Sequence, residues 1–135
     1  MQQITLPADI RHIGEATAFV YEMLDKSGCP QRTRTQIDVA LDELLSNVAR
    51  YAYPPKTGNF TIGVEILADP RRAVITLTDQ GVPYDPLKKP DPDVTLSAQD
   101  RQIGGLGIYI VKKTMDAVTY DYLNGSNIVT IVKRF

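Results

Sequence analysis

Ala73-Val74-Ile75-Thr76-Leu77-Thr78-Asp79-Gln80-Gly81 decides the fold, because it reads as a β-strand that ends on a charge. Alternation puts Ala73, Ile75, Leu77 and Asp79 on one face, and the first three make that face apolar and buried. A carboxylate there needs hydrogen-bond donors, since burying even a neutral polar group without partners costs roughly 2–7 kcal/mol. A bound ligand is one candidate donor.

Outward from this strand, the elements follow from periodicity and punctuation. Upstream, Phe60-Thr61-Ile62-Gly63-Val64-Glu65-Ile66 alternates in the same way, and Asp69-Pro70 turns it into the strand ending at Asp79, so the two form a hairpin. Before them, Ile37, Leu41, Leu44, Leu45, Val48 and Ala52 make one helical stripe between Pro30 and Pro54-Pro55, the longest element of the chain. An amphipathic helix over residues 9–27 precedes it, stopped by Gly28, and a short strand at residues 3–6 opens the chain. Downstream, the pattern vanishes over residues 82–103, where Pro83, Pro86, Pro90 and Pro92 stand among charges. A loop of that length is usually functional or disordered. Helical spacing returns at Ile108, Val111 and Met115, followed by strands at 118–123 and 128–132 around the turn Asn124-Gly125-Ser126. The expectation is one α/β domain over residues 1–135, a two-layer sandwich whose mixed, mainly antiparallel sheet is covered by helices on one face.

Composition narrows the function classes. The chain has 135 residues, 43% hydrophobic and 23% charged, with net charge −1. That balance suits a globular domain and offers no electrostatic footprint for direct nucleic-acid or membrane binding. No apolar run reaches the roughly 18–20 residues of a membrane span, and the first residues lack a signal-peptide pattern, so a cytoplasmic location is expected. Cys29 and His12 are each the only residue of their type, which removes intramolecular disulfides, cysteine-cluster zinc sites and histidine triads.

Three short stretches carry chemistry. Glu43 and Asn47 are four residues apart on the long helix, stacked on one face outside the apolar stripe as the sequence shows it. Both offer hard oxygens, suited to Mg²⁺ or to a hydroxyl that must lose a proton. Asp79 followed by Gly81 lets backbone pass close beneath a planar group, and a carboxylate can accept from the exocyclic amine of adenine. Gly104-Gly105-Leu106-Gly107 precedes a helix, whose amides and dipole can receive phosphate oxygens.

Together these stretches resemble the ATPase fold shared by DNA gyrase, histidine kinases and mismatch-repair ATPases. The run from Leu41 through Glu43 and Asn47 to Pro54 is similar to its N box, Asp79-Gln80-Gly81-Val82-Pro83-Tyr84-Asp85-Pro86 to its first glycine box, and Gly105-Leu106-Gly107-Ile108 to its second. The short chain and the Glu-x-x-x-Asn form of the N box are most similar to the anti-sigma factor serine/threonine kinases. That resemblance implies ATP and Mg²⁺ as cofactors. It implies Glu43 as general base, Asn47 as Mg²⁺ ligand, Asp79 as adenine acceptor, Gly81 and Asp85 in the pocket floor, and Gly105, Leu106 and Gly107 as hinge and phosphate cradle. Residues 82–103 would be the ATP lid. It also implies an anti-sigma factor antagonist as the phosphorylated partner, a sequestered sigma factor, and a homodimer in many relatives. The alternative is an ATP-binding regulatory module that holds a partner with little or no phosphotransfer.

Two stretches depart from the pattern. Some kinases of this branch carry an arginine just before the second glycine box, where Ile103 and Gly104 stand here, the nearest arginine being Arg101. Gly125-Ser126-Asn127-Ile128 does not supply the glycine-threonine box of other relatives, and no role is assigned to it.

Overall fold

The computed structural model describes residues 1–88 and 106–135. Gly104, Gly105 and the part of the expected lid from 89 to 103 lie outside the described residues.

The strands form where apolar alternation offers a face to bury. Strands β1 (Gln2–Pro7), β2 (Asn59–Leu67), β3 (Arg72–Asp79), β4 (Ala117–Leu123) and β5 (Ser126–Arg134) make one sheet in the order β1-β2-β3-β5-β4. All four pairings are antiparallel, so the mixed part of the expected sheet is not found among the described residues. Connectivity explains this. Helices α1 (Ile13–Lys26) and α2 (Gln31–Asn47) carry the chain out and back between β1 and β2, while α3 (Leu106–Thr114) precedes β4. Strand β4 runs in the direction of β3, but β5 lies between them, and every neighbour is therefore opposed.

The helices cover one sheet face. Ile62, Val64, Ile75, Leu77, Val129 and Ile131 meet Val20 and Leu24 of α1, Ile37, Leu41 and Leu45 of α2, and Ile108 and Val111 of α3 in one core. Each such side chain, taken from water, contributes about 1.5–3 kcal/mol, so this interface is what orders the helices. Helix α2 lies between α1 and α3 and touches both. Asp9 begins the helical region rather than α1 itself: its carboxylate caps a short 3₁₀ turn at Ile10–His12, and bonds from the Arg11 side chain and backbone hold its pKa down to about 2.

Helix α2 ends where the site begins. After Asn47 the chain widens into a π-helical turn, Val48–Ala52, a geometry that recurs at functional sites. Among the described residues, no helix is long and apolar enough to cross a membrane.

Candidate functional site

Asp79 is buried at the end of β3, on the face its alternation predicts. The chain itself supplies the donors its burial demands. Its Oδ1 accepts from the Gly81 amide at 2.9 Å and from Asn127 Nδ2 at 2.9 Å. The first bond is the turn that an aspartate two residues before a glycine makes with its own backbone. The second comes from β5, where Asn127 stands directly opposite Asp79 in the sheet register.

Around Asp79 opens a narrow cavity of about 30 Å³ that continues into open solvent. Its walls come from three places: Leu44, Asn47, Val48, Tyr51 and Ala52 from α2 and its π-helical turn; Leu77 and Val129 from the sheet; and Val82, Tyr84 and Pro86 from the segment after β3. An apolar slot with a few polar groups at one end suits a flat heteroaromatic ring. At its edge the Tyr51 and Tyr84 rings lie 5.6 Å apart at 37°, and the Arg50 guanidinium sits 5.6 Å over Tyr51. Tyr51 thus lines the cavity. Tyr53 packs at the end of the π-helical turn instead: its hydroxyl donates to the Asn59 carbonyl at 2.7 Å and accepts from the Gln80 amide at 2.8 Å.

The sequence expectation for Asn47 needs correcting. It is buried, not on a face clear of the core, because it stands seven residues after buried Ala40, within about 20° of the same helix azimuth. Alanine at 40 was left out of the apolar stripe, which made the stripe look too narrow. Glu43, half-buried, lies one turn before Asn47, about 6 Å along the axis. Its carboxylate packs on the first turn of α3: a Cβ built on Gly107 would fall 2.3 Å from Glu43 Oε2. Only glycine admits that contact.

Gly81 answers a similar demand behind the cavity. A Cβ there would fall 2.3 Å from the Ala52 carbonyl oxygen, which accepts from the Val82 amide at 2.8 Å. The π-helical turn and the segment after β3 are thereby laid one on the other. Asp85 does not line the cavity. Its Oδ1 accepts from the Leu87 amide at 2.8 Å and caps the 3₁₀ turn Pro86–Lys88, while its neighbours Tyr84 and Pro86 face inward. Leu106 is exposed at the start of α3, and Gly105 lies outside the described residues.

The model of the histidine kinase-like ATPase domain matches residues 6–133. The chain belongs to the histidine kinase-like ATPase family. The serine/threonine-protein kinase BtrW of Bordetella bronchiseptica is 31% identical over 104 residues, covering 76% of this chain and 72% of BtrW. The histidine kinase AdeS of Acinetobacter baumannii shares the fold, with a TM-score of 0.52 and 18% identity over 99% of this chain and 68% of that one. The histidine kinase-like ATPase fold accounts for the antiparallel five-stranded sheet and the helices on one face, and the family makes this a kinase-like, ATP-binding domain.

One polar residue of the cavity was missed from sequence. Asn127 falls between the turn Asn124-Gly125-Ser126 and the strand expected from 128, yet β5 begins at Ser126, and Asn127, Val129 and Ile131 share the buried face. The signal was present. A polar residue two before Val129 on an apolar strand face is the same anomaly that singled out Asp79.

Proposed function

We propose that the protein is a serine/threonine protein kinase that binds Mg-ATP and phosphorylates a small regulatory protein. One observation carries this reading: Asn47 and Asp79 line one cavity while Glu43, a single helical turn from Asn47, abuts the start of α3. The arrangement has two poles. The base end lies at Asp79, where a carboxylate accepts from the adenine amine between Leu77, Val129 and Val48. The phosphate end lies toward the first turn of α3, since helix N-termini favour anions.

Glu43 stands at that phosphate end. It takes the proton of the partner's hydroxyl as its oxygen attacks the γ-phosphorus, the bond from that phosphorus to the β,γ-bridging oxygen breaks, and ADP leaves. Asn47 Oδ1 would hold Mg²⁺, an ion that keeps several waters and the phosphate oxygens and needs few protein ligands. When bound it neutralises the charge on the phosphates. Gly81 and the Tyr51–Tyr84 pair shape the cavity without entering the chemistry. Similarity to BtrW and to the anti-sigma factor kinases points to an anti-sigma factor antagonist as substrate and a sigma factor as the second partner, acting in the cytoplasm.

The test is transfer of label from γ-³²P-ATP to such an antagonist by wild type and Glu43→Ala, with ATP binding measured on both. Transfer by wild type alone, with ATP bound equally by both, is expected. ATP binding by wild type without transfer to any cognate partner would sink the kinase reading and leave a nucleotide-gated binding module.

A further inference from the structure

Asn127 has no spare hydrogen-bonding capacity. Its Nδ2 donates to Asp79 Oδ1 at 2.9 Å and to the Val82 carbonyl at 3.0 Å, and lies 3.5 Å from the Gly81 carbonyl. Its Oδ1 accepts from the Tyr84 amide at 3.1 Å and from the Tyr120 hydroxyl. A carboxamide carries two donors and two acceptor lone pairs, so every one is in use. The residue is 4% exposed and therefore meets few competing waters.

The consequence falls on Asp79. Both hydrogen bonds described for its carboxylate, from Asn127 and from the Gly81 amide, land on Oδ1. Among the described residues nothing donates to Oδ2, and Asp79 lines the cavity. Held by two donors on one oxygen, the carboxylate has a fixed orientation and offers the cavity an acceptor and no donor.

We propose that Asn127 is a positioning residue that makes this cavity select a 6-amino purine over a 6-oxo purine, by fixing Asp79 so that only one oxygen meets the base. The inference rests on the nucleotide reading given above. A 6-amino group donates to Oδ2. A 6-oxo group sets oxygen against oxygen, and the donor of that base, N1–H, lies one ring position away. A carboxylate free to rotate could follow the N1–H and recover a bond; one pinned through Oδ1 cannot. Selectivity thus depends on the pin as well as on the carboxylate. The same amide also holds the backbone of Gly81, Val82 and Tyr84, so the cavity wall after β3 is set by the group that sets the acceptor.

The experiment compares calorimetric binding of ATP and inosine triphosphate, which differ at the 6-position and N1, by wild type, Asn127→Ala and Asn127→Asp. Wild type is expected to favour ATP by about a hundredfold or more, as a site built to pair one polar group rejects its analogue. Both variants should bind ATP about ten- to a hundredfold less tightly, and the ATP preference should shrink to under about tenfold. A residue with a structural role alone would weaken both nucleotides equally and leave the preference intact. If folded variants keep the wild-type preference, the inference is overturned while the nucleotide site stands. If wild type binds neither nucleotide, the site itself fails. Should both Asn127 variants unfold, Tyr120→Phe decides, because it removes one bond to Asn127 Oδ1. An unchanged preference in that variant overturns the inference, and a reduced one supports it.

Discussion

The carboxylate of Glu43 rests on the Cα of Gly107, so close that any side chain at 107 would occupy the carboxylate's place. The contact joins α2 to the first turn of α3 through two residues 64 positions apart in sequence (107 minus 43). It ties the proposed base to the proposed phosphate cradle.

Gly107→Ala should therefore act on Glu43 before it acts on the fold. The atoms that meet the new methyl are the end of a flexible side chain, which can swing away, and alanine favours a helix by about 1 kcal/mol over glycine. Phosphotransfer is expected to fall at least tenfold with little change in melting temperature. A double-mutant cycle on thermal unfolding checks the contact: Gly107→Ala should stabilise Glu43→Ala more than it stabilises wild type, because the carboxylate it displaces is already absent.

Gly81→Ala should behave differently, since the obstacle is the Ala52 carbonyl, which is backbone and also bonded to the Val82 amide. Neither partner can move cheaply. The variant is expected to lose roughly 1–3 kcal/mol in urea unfolding and to bind ATP weakly or not at all. Wild-type stability in Gly81→Ala would show that the close approach is not needed.

Asp79→Asn should leave the fold in place and damage the site. The amide oxygen still accepts from Gly81 and Asn127, but the amide nitrogen replaces Oδ2 and meets the base amine donor to donor. ATP binding should weaken about ten- to a hundredfold, the effect of one hydrogen bond to a charged group. Equal, tight binding by wild type and variant would remove Asp79 from the site.

Tyr53→Phe separates stability from ligand binding. The hydroxyl joins the Asn59 carbonyl to the Gln80 amide, and the ring covers Gly58 so closely that a Cβ there would lie 2.2 Å from it. Loss of two hydrogen bonds should cost about 1–3 kcal/mol in denaturant unfolding, with ATP affinity changed less than threefold.

Tyr120 carries an alkaline dependence. Burial raises its phenol above the ordinary 10.0, and the Asp85 and Asp79 carboxylates push the same way against a lowering bond from the Tyr84 backbone. The folded state thus favours the protonated phenol. Its contribution to stability is whole below the ordinary tyrosine value and is lost as pH rises through the higher folded-state value. Urea midpoints between pH 8 and pH 11 should fall more steeply for wild type than for Tyr120→Phe, which has no such group to ionise.

Much of this was legible before any coordinates. The alternation of β3 placed Asp79 on the buried face, and the glycines at 81 and 107 stand at close approaches, though against Ala52 and Glu43 rather than the expected ligand. The errors have local causes. Asn47 was read as clear of the core because an alanine, small enough to be overlooked, was omitted from the α2 stripe. Asp85 was carried into the pocket floor by resemblance, whereas its carboxylate caps the next turn. Asn127 was lost at a strand boundary misjudged by two residues, where turn chemistry at Gly125 obscured the alternation.

Periodicity and punctuation are properties of neighbours along the chain, and they determined the elements, their buried faces and the residue types able to meet a nucleotide. Which residues meet across the fold is not such a property. That Asn127 pins Asp79 follows from β5 entering the sheet beside β3 in one register, and that Glu43 touches Gly107 follows from α3 packing on α2. Both depend on how the apolar faces of separate elements bury one another, a choice made by the whole core at once. The charge at the end of β3 was therefore visible in sequence, and the partner that orients it only in the folded protein.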